Sequence, residues 1–403
     1  MAELTPMMQK YMETKEQYKD CILFYRLGDF YEMFFDDALV ASKELEITLT
    51  GKSCGLEERA PMCGIPYHAV EGYLSKLVSR GYKVAICEQV EDPKLAKGLV
   101  KREVIRVVTP GTNLNVQSLE AGKNNYLLSI AYTPDGIGIS AADVTTGDYY
   151  VTEVEDLKKL NDELMKYEPS EIICNEAFLV SGFDVNDLKS RLHISVNALE
   201  SHMFDDDGCR RILMKHFKVN TLIGLGVEEF PTGLLAAGAL LQYLYDTQKT
   251  DLEHFTHIYP YLTSKYMLLD SSTRRNLELT ETLREKQKRG SLLWVLDKTK
   301  TAMGARLLRN YIEQPLIEKD EMEKRLDAIQ ELNQDSISRD EIREYLNPIY
   351  DLERLLSKVT YKTANPRDLI AFRNSLQMLP PIKTVLSAFE KEELTKIREQ
   401  IDG

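Results

Sequence analysis

Three runs of alternating apolar and polar residues in the middle of the chain constrain its fold most strongly. They cover residues 126–131, 137–144 and 149–154. The segments between them carry Pro-Asp-Gly at 134–136 and Thr-Gly-Asp at 146–148, which are typical of tight turns. Because a period of two residues is the pattern of half-buried strands, the runs predict an antiparallel meander.

Helical patterns and short strands follow the meander in turn. The predicted strands cover 171–174 and 193–196, and the predicted helices cover 157–166, 209–217 and 231–245. The resulting order, β-β-β-α-β-α-β-α, fits a ribonuclease-H-like layout. We therefore expect an α/β domain of this kind over residues 120–250.

From residue 263 onward, strand patterns disappear and amphipathic helical patterns dominate. The predicted helices cover 277–289, 292–297, 302–311, 319–333, 339–346, 351–359 and 366–379. We expect an all-α domain over residues 260–403. The sequence stops within a charged helical pattern, so we expect it to be a piece of a longer protein.

The first 115 residues predict a compact mixed α/β domain. Its predicted strands cover 21–25, 47–50, 82–87 and 104–108, and its predicted helices cover 7–19, 36–45 and 68–80. The segment 61–66 contains two prolines and a glycine, and it predicts a rigid turn.

Within this domain, residues 27–35 combine several aromatic side chains with one acid. Alternate residues of a strand face the same side, so Phe30 and Glu32 are expected to share a face, with Tyr31 on the other. Two interpretations remain open from the spacing alone. The rings form core with Glu32 at the solvent edge, as most aromatic residues do, or the face with Phe30 and Glu32 is exposed.

A basic segment lies between the last two predicted strands of the same domain. With one residue from the following strand it supplies five basic side chains, namely Lys94, Lys97, Lys101, Arg102 and Arg106. The segment is either a solvated hairpin or a set of contacts with phosphates, which position a protein on a duplex without reading its sequence.

Motifs for nucleotide binding fail when their context is checked. Residues 51–53 (Gly-Lys-Ser) match the end of a phosphate-binding loop, but Glu46 stands where that loop requires glycine. His254 and His257 have no apparent third metal ligand, so they predict a surface pair. We expect no cofactor-binding and no metal-binding residues in this chain.

A nuclease of the ribonuclease H type requires several carboxylates that converge on metal ions. The opening strand of the meander carries no acid, and Asp143 stands alone on the second strand. We therefore expect no catalytic residues, although a nuclease of the ribonuclease H type remains an alternative.

Charge and composition limit the environment of the protein. The formal net charge of -13 over 403 residues argues against a uniformly basic surface but allows local basic patches. The six cysteines form no C-x-x-C motif, which is typical of reduced thiols in the cytosol. No apolar run approaches the roughly 20 residues of a membrane span, and the N-terminus does not resemble a signal peptide. The expected localisation is cytoplasmic.

Several motifs closely resemble the bacterial MutS family, the mismatch-recognition proteins of DNA repair. In the α/β domain they are residues 28–34 (GDFYEMF), 61–70 (PMCGIPYHAV), 84–89 (VAICEQ) and 107–112 (VVTPGT). In the helical domain they are residues 269–278 (LDSSTRRNLE) and 363–369 (TANPRDL). The resemblance extends over essentially the whole chain, in order, and the middle domain matches mainly by position and layout.

The resemblance implies a mismatch-binding domain over 1–115, a connector over 120–250 and a truncated core, or lever, domain over 260–403. It implies that Phe30 enters the minor groove, stacks on a mispaired base and kinks the duplex, while Glu32 hydrogen-bonds to the displaced base. A carboxylate close to phosphates is costly. We therefore expect binding to favour the protonated form of Glu32 or a base that can donate.

Other DNA contacts are implied less directly. Lys52 and Met62 lie where the family approaches DNA. The backbone contacts are expected among the basic positions Lys52, Lys97, Lys101, Arg102 and Arg106.

In the family, ATP and Mg²⁺ bind an ATPase domain, and a clamp grips the DNA further out. This sequence carries neither, so we expect no ATP hydrolysis by the chain itself. The resemblance further implies mismatched double-stranded DNA as the partner, a homodimer in the full-length form and a MutL-type repair partner. Two alternatives stay open: a ribonuclease-H-like nuclease, and a protein-binding scaffold in which the aromatic stretch is core and touches no base.

Overall fold

A computed structural model gives the structure of the protein and describes residues 4–91 and 98–401. Three parts follow one another along the chain: an N-terminal α/β part, a middle α/β part and a helical part. Within the described residues, the helices are all too short or too polar to cross a membrane.

The N-terminal part is built on one six-stranded sheet. Its elements are α1 (Pro6–Gln17), β1 (Ile22–Leu27), β2 (Phe30–Phe34), α2 (Phe35–Leu45), β3 (Thr50–Lys52), β4 (Ala60–Pro66), α3 (Val70–Val78), β5 (Val84–Gln89) and β6 (Arg102–Val108). The strand order is β3-β4-β2-β1-β5-β6, and every neighbouring pair is antiparallel except β1 and β5. Helix α1 packs on one face, and α2 and α3 cover the other.

The strand predicted over 47–50 and the turn predicted over 61–66 are both wrong. The edge strand β3 begins at Thr50, and the proline-rich segment forms β4. Pro61 pairs only with β3, because the register of β4 with β2 begins at Met62, and Pro66 stands at the other end of that register. Neither proline therefore occupies an interior position of the β2–β4 pairing, where its missing N–H would cost a hydrogen bond.

The middle part contains the predicted meander, which is confirmed. Its elements are β7 (Leu127–Thr133), β8 (Gly136–Asp143), β9 (Asp148–Val154), α4 (Leu157–Tyr167), β10 (Glu171–Cys174), α5 (Glu176–Leu179), α6 (Val185–Ser190), β11 (Ser195–Ala198), α7 (Asp206–Phe217), α8 (Pro231–Gln248) and β12 (Tyr259–Pro260). The sheet order is β11-β10-β7-β8-β9-β12, with β10 and β11 running parallel to β7. Helices α7 and α8 cover one face, and α4, α5 and α6 cover the other.

The third part is helical in the described residues, apart from its connecting segments. Its helices are α9 (Ser271–Asn276), α10 (Leu292–Leu296), α11 (Ala302–Glu313), α12 (Lys319–Gln334), α13 (Ser336–Leu346), α14 (Leu352–Thr360), α15 (Pro366–Leu376), α16 (Leu379–Leu386) and α17 (Glu392–Gln400). The helix predicted over 277–289 is wrong. Helix α9 ends before this range, and Glu278 and Lys286 have φ values of 50° and 51°, which a right-handed helix excludes.

Buried arginines join the helical part to the linker that precedes the meander. The Arg306 guanidinium donates to both carboxylate oxygens of Asp351 at 2.7 and 2.8 Å and to the Ala121 carbonyl at 2.9 Å. The Arg354 guanidinium donates to the Lys123 carbonyl at 2.9 Å. Because these arginines are nearly sealed from solvent, the linker is held by charged groups that have lost most of their hydration.

His254 is buried where the middle part contacts the helical part, so the expectation of a surface histidine pair is wrong for this residue. Its Nε2 is 2.9 Å from the Val144 carbonyl oxygen, which also accepts a hydrogen bond from Ser357 on α14. Burial lowers the pKa of His254 to about 4. The ring is therefore neutral at pH 7 and donates from Nε2.

The neutral state of His254 predicts a specific loss of stability in acid. The unfolded chain takes up a proton near pH 6.5, whereas the folded chain does not until about pH 4. Lowering the pH from 7.5 to 5 should therefore cost the wild type about 2 kcal/mol of unfolding free energy at this site. Urea unfolding of His254→Gln should show a correspondingly shallower pH dependence, and identical slopes would contradict the buried neutral ring.

Gly138 allows helix α8 to lie directly on β8. A Cβ placed there would stand 2.0 Å from the Thr232 carbonyl oxygen and 2.6 Å from the Gly233 nitrogen, which are both backbone atoms. Gly138→Ala should therefore destabilise the protein by roughly 2–3 kcal/mol, measured from the urea midpoint. The matched control is Gly72→Ala in α3, where a Cβ meets nothing within 4 Å; it should leave stability unchanged or raise it slightly.

Candidate nucleic-acid interface

A tight hairpin presents Phe30 to solvent. Strands β1 and β2 are joined by Gly28 and Asp29 alone, because Leu27 pairs with Phe30. Gly28 has a φ of +60° at the first loop position, a conformation that suits glycine in two-residue hairpins. Phe30 is 47% exposed, so the interpretation of this ring as core is wrong.

The alternation along β2 separates the buried rings from the exposed one. Tyr31 and Met33 point into the core beneath α2 and α3. Phe30, Glu32 and Phe34 share the opposite face, which carries α1 at one end. Tyr11 of α1 contacts the Phe34 ring edge-on at 4.9 Å and buries it. Only the end of this face with Phe34 is closed, and the end with Phe30 is open.

Glu32 and Lys52, both expected at the interface, are in direct contact. The Lys52 Nζ lies 2.5 Å from the Glu32 Oε2. The ammonium also lies 5.6 Å from the centre of the Phe34 ring. The lysine therefore reaches from the edge strand β3 across the β4 strand to the carboxylate on β2.

Gly64 leaves the sheet bare between these groups. It pairs directly with Glu32 in the β2–β4 register. A Cβ at Gly64 would lie 3.6 Å from the Glu32 Cγ and 4.0 Å from the Phe30 Cδ1. Because glycine has no side chain, the surface beside the ring and the carboxylate stays uncovered. Met62 occupies the next position of this face, opposite Phe34, and is partly buried against the α1 cluster.

A hydrogen-bonded network stiffens the hairpin from its other side. The Tyr31 hydroxyl donates to the Glu88 carboxylate on β5. Arg26 pairs with the same carboxylate at 3.1 Å. Burial, followed by the Glu88 hydrogen bond, raises the pKa of Tyr31 above its ordinary value, so the hydroxyl keeps its proton.

Tyr67 and His68 are exposed next to the hairpin and were not singled out as site residues by the sequence. Their rings meet edge-on at 5.9 Å just after β4. The Arg26 guanidinium stacks on the Tyr67 ring at 3.8 Å, and the Tyr67 amide donates to the Asp29 carbonyl at 3.0 Å. In the sequence, only their place directly after the proline-rich segment 61–66 could have indicated them. The pairing of Pro66 with Phe30, which brings them next to the ring, is visible only in the structure.

The basic residues expected to contact the DNA backbone differ in their solvent exposure and in their partners within the protein. Lys101 is exposed and pairs with Glu103 at 2.6 Å. Arg102 is partly buried and donates to the backbone carbonyls of Arg26 and Val100 at 2.8 and 2.9 Å. Its guanidinium also lies 5.2 Å from the Tyr25 ring, on the face that carries Glu32. Lys97 lies outside the described residues.

Arg106, which was expected to contact the DNA backbone, is engaged inside the protein. Its guanidinium lies between all three parts of the protein, where it donates to the Gln248 side chain at 3.2 Å and the Thr112 carbonyl at 2.5 Å. It also lies 5.4 Å from the ring of Tyr361, which follows α14. The guanidinium of Arg106, which the sequence suggests is free for DNA, instead holds the N-terminal part against the other two parts.

The meander carries acids that serve its own structure. Asp143 is buried and accepts hydrogen bonds from the backbone N–H of Thr145 and from Asn124. Asn124 also donates to Asp148. Burial raises the pKa of Asp148 to about 6, with Asp143 as the next cause. Within the part of the chain that the structure describes, no three His, Cys, Asp or Glu residues are placed to hold a metal ion.

Comparisons with known proteins assign the class of this chain. Models of three consecutive domains match it in order: MutS domain I over residues 5–117, MutS domain II over 125–256 and MutS domain III over 272–402. The chain therefore belongs to the MutS family.

Among its relatives is a protein described as DNA mismatch repair protein MutS from Lachnoclostridium phytofermentans, 68% identical over the whole of this chain. Proteins of the same description from Ruminiclostridium cellulolyticum and Acetivibrio thermocellus are 53% and 51% identical, again over the whole chain. The chain spans 43%, 46% and 47% of these three relatives, which is less than half of their length.

The docking role of Arg106 predicts a change in domain arrangement. Arg106→Ala removes both hydrogen bonds and the contact with Tyr361, so the N-terminal part should be held less tightly against the other two. Limited proteolysis should then cut the linker over residues 113–125 several-fold faster than in the wild type. The control is Arg80→Ala, whose ion pair with Glu44 lies within the N-terminal part. Equal cleavage of the two variants would contradict this role.

Proposed function

We propose that this chain is the part of a MutS protein that recognises mispaired or unpaired bases in duplex DNA for mismatch repair. Phe30 enters the minor groove and stacks on the mispaired base, and the duplex kinks around it. The observation that carries this proposal is the 47% exposure of Phe30 on a rigid hairpin, next to a carboxylate on the same face.

The energetics favour a site where pairing is already broken. Unstacking a base step costs a few kcal/mol, and the cost is least at a mismatch. An aromatic ring stacks on any base, so Phe30 reads no edge pattern. Discrimination then arises from the ease with which the duplex deforms. Glu32 adds a hydrogen bond to the displaced base, which an intact pair does not offer.

The three parts fit the mismatch-binding, connector and lever domains of the family. The order of the strands from β9 through β8, β7 and β10 to β11, with the last two parallel to β7, supports a ribonuclease-H-like connector. The helical part is the start of the lever. The nuclease alternative is not favoured, because Asp143 and Asp148 of the meander are engaged in structural hydrogen bonds.

The remaining properties rest on the family as a whole. ATP and Mg²⁺ act in an ATPase domain, so this chain is expected to bind DNA without hydrolysing ATP. The full-length protein is expected to work in the cytoplasm as a homodimer, together with a MutL-type partner.

The test compares duplexes with one G·T mispair and with a G·C pair in the same position. Phe30→Ala should weaken binding to the G·T duplex about tenfold or more, because base–aromatic stacking is worth roughly 1–3 kcal/mol. Binding to the G·C duplex should change less. Fluorescence anisotropy with labelled duplexes measures both. Tyr350→Ala removes a 57% exposed ring from the helical part and serves as the control. Unchanged G·T binding by Phe30→Ala would refute the proposal.

A further inference from the structure

The ion pair between Glu32 and Lys52 is placed where an approaching duplex would compete for it. The Glu32 side chain is only 16% exposed and that of Lys52 is 35% exposed. The ammonium is thus the more accessible partner. It stands on the last residue of the short edge strand β3 and is followed by a loop, residues 53–59, that forms no strand.

We propose that Lys52 determines specificity by exchanging one partner for another. In the free chain, its ammonium pairs with the Glu32 carboxylate and neutralises it. In the complex, the ammonium leaves Glu32 and binds a DNA phosphate, but only when a displaced base takes over as the partner of Glu32. This inference rests on the proposed function. It goes further by assigning to Lys52 two alternative partners, an acid of the protein and a phosphate of the duplex.

The exchange follows from the charges. An unpaired carboxylate beside the point of insertion repels every duplex, matched or mismatched. The lysine removes this repulsion as long as the pair is intact. If the ammonium moved to a phosphate while Glu32 had no other partner, a partly buried carboxylate would be left alone, which is unfavourable.

On a matched duplex no base is displaced, so Glu32 finds no donor and retains Lys52. On a mismatched duplex, the displaced base donates to Glu32, and the ammonium is free for a phosphate. The hydrogen bond from the base to Glu32 and the contact of Lys52 with a phosphate therefore form together or not at all. Coupling of this kind increases the difference between the two duplexes without any contact that reads the base sequence.

Gly64 is required for the same step. A base edge that approaches Glu32 passes over the position opposite it in β4, where a side chain would cover the carboxylate stem at 3.6 Å. The glycine leaves this approach open. Among the described residues of the basic segment, Lys101 pairs with Glu103, and Arg102 is held by the carbonyls of the hairpin and the preceding loop, so neither fits this role.

The first test concerns the free chain. In an NMR experiment on the Lys52 side-chain ammonium, its protons should exchange slowly with water in the wild type and rapidly in Glu32→Gln. Addition of the G·T duplex should shift this signal, whereas the G·C duplex at saturation should not. Fast exchange in the free wild type would show that the pair does not persist and would overturn the proposal.

The second test is a double-mutant cycle of Glu32→Gln and Lys52→Gln in the whole chain, with both duplexes. Lys52→Gln should weaken G·T binding, and the loss in the double variant should exceed the sum of the two single losses by about three- to tenfold. Each single variant already removes the cost of breaking the ion pair in the free chain, so adding the two single effects counts this relief twice. The matched control is the cycle of Glu13→Gln and Lys10→Gln, an exposed pair of the same charges on α1, which should be additive.

Salt dependence separates the exchange from a simple phosphate contact. Losing one phosphate contact lowers the slope of log K against log salt by about 0.9. Lys52→Gln should lower the slope for the G·T duplex by this amount and leave that for the G·C duplex unchanged. Equal changes for both duplexes, or an additive cycle, would overturn the exchange while Phe30→Ala still weakens G·T binding. Equal affinity of the wild type for both duplexes would refute the proposed function itself.

Discussion

The two-residue period of β2 is the constraint on which the interface depends. Tyr31 and Met33 are buried beneath α2 and α3, so the register of the strand is fixed by the core. The same register forces Phe30 and Glu32 to the opposite face. A shift by one residue would expose the buried pair and bury the carboxylate, which the core does not tolerate. The exposed ring is thus a consequence of how its neighbours pack.

Rigidity of the hairpin comes from polar contacts as much as from apolar burial. The Tyr31 hydroxyl, the Glu88 carboxylate and the Arg26 guanidinium form one network behind the exposed ring. Arg26 in turn supports the Tyr67 ring. A ring that separates two stacked bases must be held rigidly, because a flexible hairpin would be displaced instead of the bases. The network supplies this support from the side opposite to the proposed DNA contact.

Charge in this protein is used mostly inside the molecule. The net charge of -13 gives no indication of DNA binding, and several of the basic residues expected to contact phosphates are occupied. Arg106 docks the N-terminal part against the other two, and Arg102 ties the base of the hairpin. Lys52 neutralises Glu32. Electrostatic complementarity to DNA, where it exists, is therefore local and depends on which internal partner a cation can give up.

The sequence by itself determined the meander and the face shared by Phe30 and Glu32, because strand periodicity and turn residues are local properties. Its motifs also determined the family. Only the tertiary structure decided which charges are free, since the partners of Arg106 and Lys52 are 142 and 20 residues away along the chain. It also decided that the proline-rich segment is a strand, because the pairing of β4 with β2 leaves Pro61 outside the register and Pro66 at its end. Such pairings are set by long-range packing, which a local pattern does not contain.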